Sequence, residues 1–128
     1  MPSVIMSLMP TEVALEFLPF LNNPIVAVAP PEHPLCSATS LTLQDLTAYP
    51  LLIREQGSGT RKACEEYFQQ KRAHFAQTVE IASLDALREA AIAGLGVTLL
   101  PRHAASLELG HGLLRELPVE ELPLYRSW

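Results

Sequence analysis

The sequence has few of the features that mark membrane, secreted or nucleic-acid-binding proteins. None of its apolar runs reaches the roughly 18–20 residues of a membrane span, and no basic stretch precedes an apolar one at the start, so we expect neither membrane contact nor secretion. Nine Lys and Arg residues against 14 Asp and Glu give a net charge of −5, which disfavours nucleic-acid binding by this chain alone. The two cysteines, Cys36 and Cys64, lack CxxC spacing, so we expect no disulfides and a cytoplasmic location.

Enzyme and metal motifs are also missing. The QGSGT run at 56–60 lacks the glycine spacing of a nucleophile elbow, and Lys62 stands where a dinucleotide-binding motif needs its third glycine. The four histidines form no zinc pattern: His33, His74, His103 and His111. We therefore expect no metal, no cofactor and no catalysis. One alternative stays open, an enzyme in which Ser58 is the nucleophile and His103, close to a predicted strand end, is the base.

The remaining composition fits one folded domain. A length of 128 residues, of which 48% are hydrophobic, is enough for a packed core. Apolar runs predict strands at 25–29, 51–53, 78–82 and 97–100, and helical patterns lie between them at about 60–72 and from 84 to a glycine at 94 or 96. Shorter elements are predicted at 4–6, 15–21, 41–46, 103–109, 113–119 and 122–128. This alternation predicts an α/β fold with a mostly parallel sheet, in which 25–29 is a parallel strand buried on both faces.

A candidate binding site follows from this fold, because open α/β sheets bind ligands beyond the carboxyl ends of their strands. Those ends are predicted at 29–30, 54–60, 82–83 and 101–102, and the segment after the second strand is the richest in polar groups. Gly57 and Gly59 allow a close backbone approach, Ser58 and Thr60 supply hydroxyls, and the first amides of the next helix favour an anion.

Three further residues complete the candidate site. Arg54 and Arg61 flank the loop, and either guanidinium could pair with a carboxylate or a phosphate. Ser83 is first of all the N-cap of the next helix, although its position also faces the predicted cleft. The alternative interpretation of the whole loop is an ordinary strand-to-helix turn closed by a capping side chain.

The order of these segments resembles the effector-binding domain of LysR-type transcriptional regulators. The matching runs are HPL at 33–35, LLIREQGSGTR at 51–61, SLDALR at 83–88, AGLGVTLLP at 93–101 and LGHGL at 109–113. They cover nearly the whole chain in the family's order. The EQGSGTR run, together with Asn23-Pro24, is most similar to the branch that regulates RuBisCO operons.

The resemblance implies a two-lobed fold like that of type 2 periplasmic binding proteins, with helices on both faces of each sheet. Residues 1–23 would be a remnant of first-lobe or hinge strands, 24–122 the second regulatory lobe, and 123–128 a strand returning toward the hinge. A small effector, which we expect to be an anion, would bind between the lobes and contact Gly57, Ser58, Gly59, Thr60 and Ser83.

The resemblance also implies partners. DNA would be bound only through a helix-turn-helix domain that we expect to be absent from this chain, and strands at 4–6 and 15–21 would present open edges that favour self-association. A stand-alone solute-binding protein of the periplasmic type would have the same fold and is the main alternative, although the missing signal peptide disfavours it.

Overall fold

The computed structural model describes residues 24–125, and most predicted elements in that range form close to their expected positions. The strand predicted at 113–119 is only two residues long, and the described part of the one predicted at 122–128 forms a single bridge between Leu124 and Ile25. The strands are β1 (Ile25–Ala29), β2 (Leu51–Arg54), β3 (Thr78–Ile81), β4 (Val97–Pro101) and β5 (Arg115–Glu116). The helices are α1 (Leu43–Leu46), α2 (Gly59–Lys71), α3 (Leu84–Ile92) and α4 (Ser106–Gly110), with 3-10 turns at Pro34–Ser37 and Arg102–Ala105. None of these helices is long and apolar enough to cross a membrane. The predictions for 4–6, 15–21 and 126–128 lie outside the described residues.

The five strands form one mixed sheet in the order β3-β2-β4-β1-β5. β2 runs parallel to β3 and to β4, whereas β1 runs antiparallel to both β4 and β5. The parallel part of the expected sheet is thus confirmed for β3, β2 and β4, but the interpretation of 25–29 as a parallel strand is wrong. All five residues of β1 are buried. Burial on both faces produces a continuous apolar run whichever way a strand points, so the run carried no information about direction.

Helices cover both faces of the sheet, as expected. Alternate residues of β1 belong to two different cores, because side chains of a strand point to opposite faces in turn. One core lies under α1 and α2 and includes Leu43, Leu46, Cys64, Tyr67 and Phe68. The other lies under α3 and the 3-10 turn that follows β4, and includes Leu87, Ala91 and Ala105. The loops that leave the sheet are therefore held from both sides by packed helices.

Two glycines near the end of α3 have different roles. Gly94 has a φ of +80° and follows the helix end, where the left-handed conformation favours glycine. Gly96 lies against the residue before β2, and a Cβ atom at Gly96 would be 2.4 Å from the Pro50 carbonyl oxygen. Of the two glycines that the sequence offered as helix ends, Gly94 has that role. Gly96 allows the start of β4 to approach β2 closely.

Candidate functional site

The carboxyl ends of the three parallel strands lie at one edge of the sheet. The register pairs Arg54 with Ile81, and Leu52 with Thr98, so the loops after β2, β3 and β4 open at the same edge. The strand-end segment at 29–30 does not belong to this group, because β1 is antiparallel and ends at the opposite edge. We therefore correct that part of the predicted site.

The beginning of β1 lies at the site edge instead. The Arg102 amide donates to the Pro24 carbonyl at 2.8 Å, and Ile25 and Leu124 exchange backbone hydrogen bonds of 2.8 and 2.7 Å. Residues 24 and 124, which lie near the two limits of the described range, are therefore both at the edge that carries the loops after β2, β3 and β4. Contacts made at this edge are close to both connections with the rest of the chain.

The loop after β2 is a tight turn that ends in a helix cap. Gly57 has a φ of +94°, a conformation that L-residues rarely adopt, and the Ser58 amide donates to the Glu55 carbonyl at 3.3 Å. The Ser58 hydroxyl oxygen then accepts a hydrogen bond from the Arg61 amide at 3.4 Å and so caps α2. The glycine, the turn and the cap fix where α2 begins.

This loop borders a small open depression of about 210 Å³. Its lining includes four of the predicted site residues, Gly57, Ser58, Gly59 and Arg61, together with Gln56, Lys62 and Glu65. Thr60, Arg54 and Ser83 lie outside that lining. The prediction missed Lys62 and Glu65, although positions 58, 62 and 65 share one face of a helix and this spacing was visible in the sequence.

The Arg61 side chain is turned inward and pairs with three groups of the protein. Its Nη1 donates to the Arg54 carbonyl at 2.9 Å and to Glu80 Oε2 at 2.8 Å, and its Nε donates to Glu65 Oε2 at 3.3 Å. The side chain is 13% exposed. Burial alone would lower the pKa of the guanidinium, but the hydrogen bonds to Glu80 and Glu65 outweigh it, and the pKa is raised. Arg61 therefore joins α2, the end of β2 and the edge strand β3.

Arg54 is engaged in the same way. Its Nε donates to Glu55 Oε1 at 2.8 Å, and this hydrogen bond is the main reason that the pKa of the Glu55 carboxyl is lowered. Both arginines that the sequence offered as anion ligands thus already have carboxylate partners. A ligand that used either guanidinium would have to compete with these internal ion pairs.

Ser83 caps α3 and lies beyond the end of β3, next to the strand that leads to Ser58. Its hydroxyl oxygen accepts a hydrogen bond from the Ala86 amide at 3.0 Å, which confirms the N-cap interpretation. The Ser83 residue is exposed, so a ligand at this edge can reach its hydroxyl group. The site edge therefore presents two capped helix starts on neighbouring parallel strands.

The helix starts differ in charge. The first turn of α2 contains no acidic residue, whereas the first turns of α1 and α3 contain Asp45 and Asp85. An acidic side chain in the first turn interacts favourably with the partial positive charge of the exposed amides. In α1 and α3 the chain supplies this negative charge itself. At α2 no first-turn side chain supplies this charge.

The thiols of the described region offer no reactive group at this edge. Cys64 is buried in the core, and burial raises the pKa of its thiol to about 12. Cys36 Sγ donates to the Pro30 carbonyl at 3.2 Å, and partial burial raises the pKa of this thiol as well. Both sulfurs are held in the protonated, poorly nucleophilic form. Among residues 24–125 no three His, Cys, Asp or Glu side chains are grouped to hold a metal ion.

Known relatives are transcriptional regulators. The LysR substrate binding domain family matches residues 4–128 of the chain. The HTH-type transcriptional activator CmpR of Synechocystis sp. is 38% identical over 119 residues, which are 93% of this chain and 39% of CmpR. The RuBisCO operon transcriptional regulator of Allochromatium vinosum is 34% identical over 125 residues, which are 98% of this chain and 41% of that protein. The chain thus spans about 40% of the length of these relatives.

Solved structures agree with this assignment. The Synechocystis CcmR regulatory domain in complex with 2-PG has a TM-score of 0.73 and 29% identity, covering 79% of this chain and 49% of that one. The effector binding domain of QuiR in complex with shikimate has a TM-score of 0.66 at 21% identity, covering 77% of this chain and 46% of that one, and supports the fold. The expected periplasmic-binding-protein-like lobe is therefore confirmed.

The family match and the relatives, rather than the fold, distinguish between the functions that the sequence left open. The curated relatives are regulators, some of them of RuBisCO operons, rather than enzymes or free solute-binding proteins. The chain belongs to the LysR substrate-binding domain family and is an effector-sensing regulatory domain of that family.

Proposed function

We propose that this chain binds a small anionic metabolite at the start of α2, in a cleft between the described lobe and a second lobe. Gly57, Ser58, Gly59 and Thr60 would contact the effector from one helix start, and Ser83 would contact it from the next. Residues 1–23 would contribute first-lobe or hinge strands, and 123–128 would return toward the hinge. Arg54 and Arg61 enter the proposal as supports of the loop, because their guanidinium groups already have partners.

The observation that carries the proposal is the start of α2. Helix geometry leaves the first amides without intrahelical acceptors, and the Ser58 hydroxyl takes only that of Arg61. The amides of Gly59 and Thr60 therefore point toward the site edge, in a first turn that has no acidic side chain. Since a hydroxyl group both donates and accepts, Ser58 can keep its cap while donating its proton to an effector oxygen.

The ligand class is suggested by the relatives. The CcmR regulatory domain, 29% identical to this chain, was solved with 2-PG bound. Several curated relatives regulate RuBisCO operons. We therefore choose 2-PG as the first probe, with glucose 6-phosphate and NADPH as further anions.

The experiment is calorimetric titration of the chain with these three probes, in the wild type and in Ser58→Ala. We expect saturable binding that falls about 3- to 10-fold in Ser58→Ala, which corresponds to the loss of one hydrogen bond of about 0.7–1.4 kcal/mol. Because this substitution also removes a helix cap at a cost of about 1 kcal/mol in stability, Thr42→Ala is the matched control. Thr42 caps α1, and the α1 residue Gln44 contacts the carboxyl end of α2, far from the loop.

The two variants separate binding from folding. Weaker binding in Ser58→Ala with unchanged affinity in Thr42→Ala supports an effector site at the loop. Equal losses in both variants would mean that destabilisation alone explains the effect. A folded wild-type chain that binds none of the three probes would overturn the proposal for this chain.

In the whole regulator, effector binding would shift the balance between open and closed arrangements of two lobes, and a separate DNA-binding domain would respond. We also propose that the regulator self-associates and acts in the cytoplasm. Size measurement of the chain by light scattering, with and without 2-PG, tests the self-association.

A further inference from the structure

We propose that Lys62 is the residue that provides the positive charge for the effector and so selects anions over neutral ligands. This inference rests on the proposed function, because it assigns a role within the same site. It replaces the two arginines, which the sequence indicated as anion ligands, with the lysine that interrupts the glycine spacing of a dinucleotide-binding motif.

The first argument is the pairing of charges around the loop. Arg54 is bonded to Glu55, and Arg61 is bonded to Glu65 and Glu80. These bonds use the positive charge of the arginines inside the protein. Of the two basic residues that line the depression, Arg61 and Lys62, only Lys62 has no ion pair among residues 24–125.

The second argument is position. Lys62 is exposed and lies in the first turn of α2, and its side chain lines the same depression as Gly57 and Ser58. Its amide bonds to the Ser58 carbonyl at 3.1 Å, so its Cα is fixed relative to the capping residue. A flexible ammonium group on this turn can add its charge to the amides that face an effector oxygen.

The third argument concerns the one acidic residue in the depression. Glu65 also lines it and would repel an anion if its charge were uncompensated. The Arg61 Nε lies 3.3 Å from the Glu65 carboxylate and offsets part of that charge, since the same guanidinium also pairs with Glu80. Because Glu65 has this partner, the Lys62 ammonium group is not needed to hold it and can face a ligand.

The test is calorimetric titration of the full 128-residue chain with 2-PG, comparing the wild type with Lys62→Gln and Lys62→Arg. We expect Lys62→Gln to weaken binding about 3- to 10-fold, as is typical of a partly exposed charged contact, and Lys62→Arg to retain most of the affinity. Arg72→Gln is the matched control, because it removes one positive charge from the residue after α2, at the opposite end from the loop. We expect no change in its affinity.

Salt provides a second readout. The ratio of dissociation constants between Lys62→Gln and the wild type should shrink as NaCl rises from 50 to about 500 mM, since salt screens an exposed charge pair. If Lys62→Gln binds 2-PG like Arg72→Gln while Ser58→Ala loses affinity, the effector site stands and the role of Lys62 is refuted. If the folded wild-type chain binds none of 2-PG, glucose 6-phosphate and NADPH, both the site and the role of Lys62 are refuted.

Discussion

Arg61 links the loop after β2 to its neighbours, and replacing it should loosen this loop without unfolding the domain. Arg61→Met removes the hydrogen bonds to the Arg54 carbonyl, Glu65 and Glu80. The two carboxylates are 49% and 55% exposed and can be rehydrated, so most of the loss comes from the carbonyl contact and from a guanidinium that is 13% exposed. We expect the free energy of unfolding to fall by about 1–2 kcal/mol, which is far less than a buried ion pair would cost.

The assay is urea denaturation followed by circular dichroism, in a double-mutant cycle of Arg61→Met with Glu80→Gln. A direct contact predicts that the two losses are not additive, with a coupling of about 0.5–1 kcal/mol that decreases with salt. Arg72→Met is the control, because it removes a cation from the same helix region and should cost less than about 0.5 kcal/mol. Additive effects of Arg61 and Glu80 would refute the link between α2 and β3.

Two further substitutions test the packing that supports the site. Gly96→Ala should destabilise the domain by about 1–3 kcal/mol in thermal unfolding, because the new methyl group would lie 2.4 Å from the Pro50 carbonyl oxygen. Gly110→Ala is the control, because a methyl group at Gly110 has open space and should be neutral or slightly stabilising. Tyr67→Phe should cost about 1 kcal/mol near neutral pH, because the hydroxyl donates to the Glu120 carbonyl at 2.7 Å. Burial raises the pKa of Tyr67 from 10.0 to about 12, so the folded state keeps its proton where the unfolded state loses it. The free energy of unfolding of the wild type should therefore fall between pH 10 and 12, and that of Tyr67→Phe should fall less steeply. If denaturation experiments gave the same pH dependence for both proteins, this assignment would be contradicted.

The order of the strands and helices could be predicted because it depends on local sequence patterns. The apolar run at 25–29, the capping serines and the alternation of elements all concern neighbours in sequence. The direction of β1 could not be predicted from such local patterns. It depends on how the chain reaches β1, and a strand that is buried on both faces has the same apolar composition in either direction.

The loop of the candidate site could likewise be predicted from local patterns. Glycines and hydroxyls after β2 indicated the loop, and the strand-end rule placed it near Ser83. The pairing of Arg61 was not predictable, because its partner Glu80 lies 19 residues away and is brought close only by the register of β2 with β3. Without that register, an arginine beside a glycine-rich loop is equally consistent with binding a ligand and with supporting the loop.

In the proposed site, Arg61 would support the loop and Lys62 would provide the positive charge for an anion. An effector shifts a two-state equilibrium only through contacts that differ between the states, and about 1.4 kcal/mol of difference is needed for a tenfold shift. Fixed groups such as the amides of α2 are present in both states. The exposed Lys62 side chain, at the edge near residues 24 and 124, would gain a closer contact with the anion when the two proposed lobes close. The 3- to 10-fold effect expected for Lys62→Gln corresponds to about 0.7–1.4 kcal/mol, so this contact would supply at most about one tenfold shift, and any larger shift needs the other contacts of the loop.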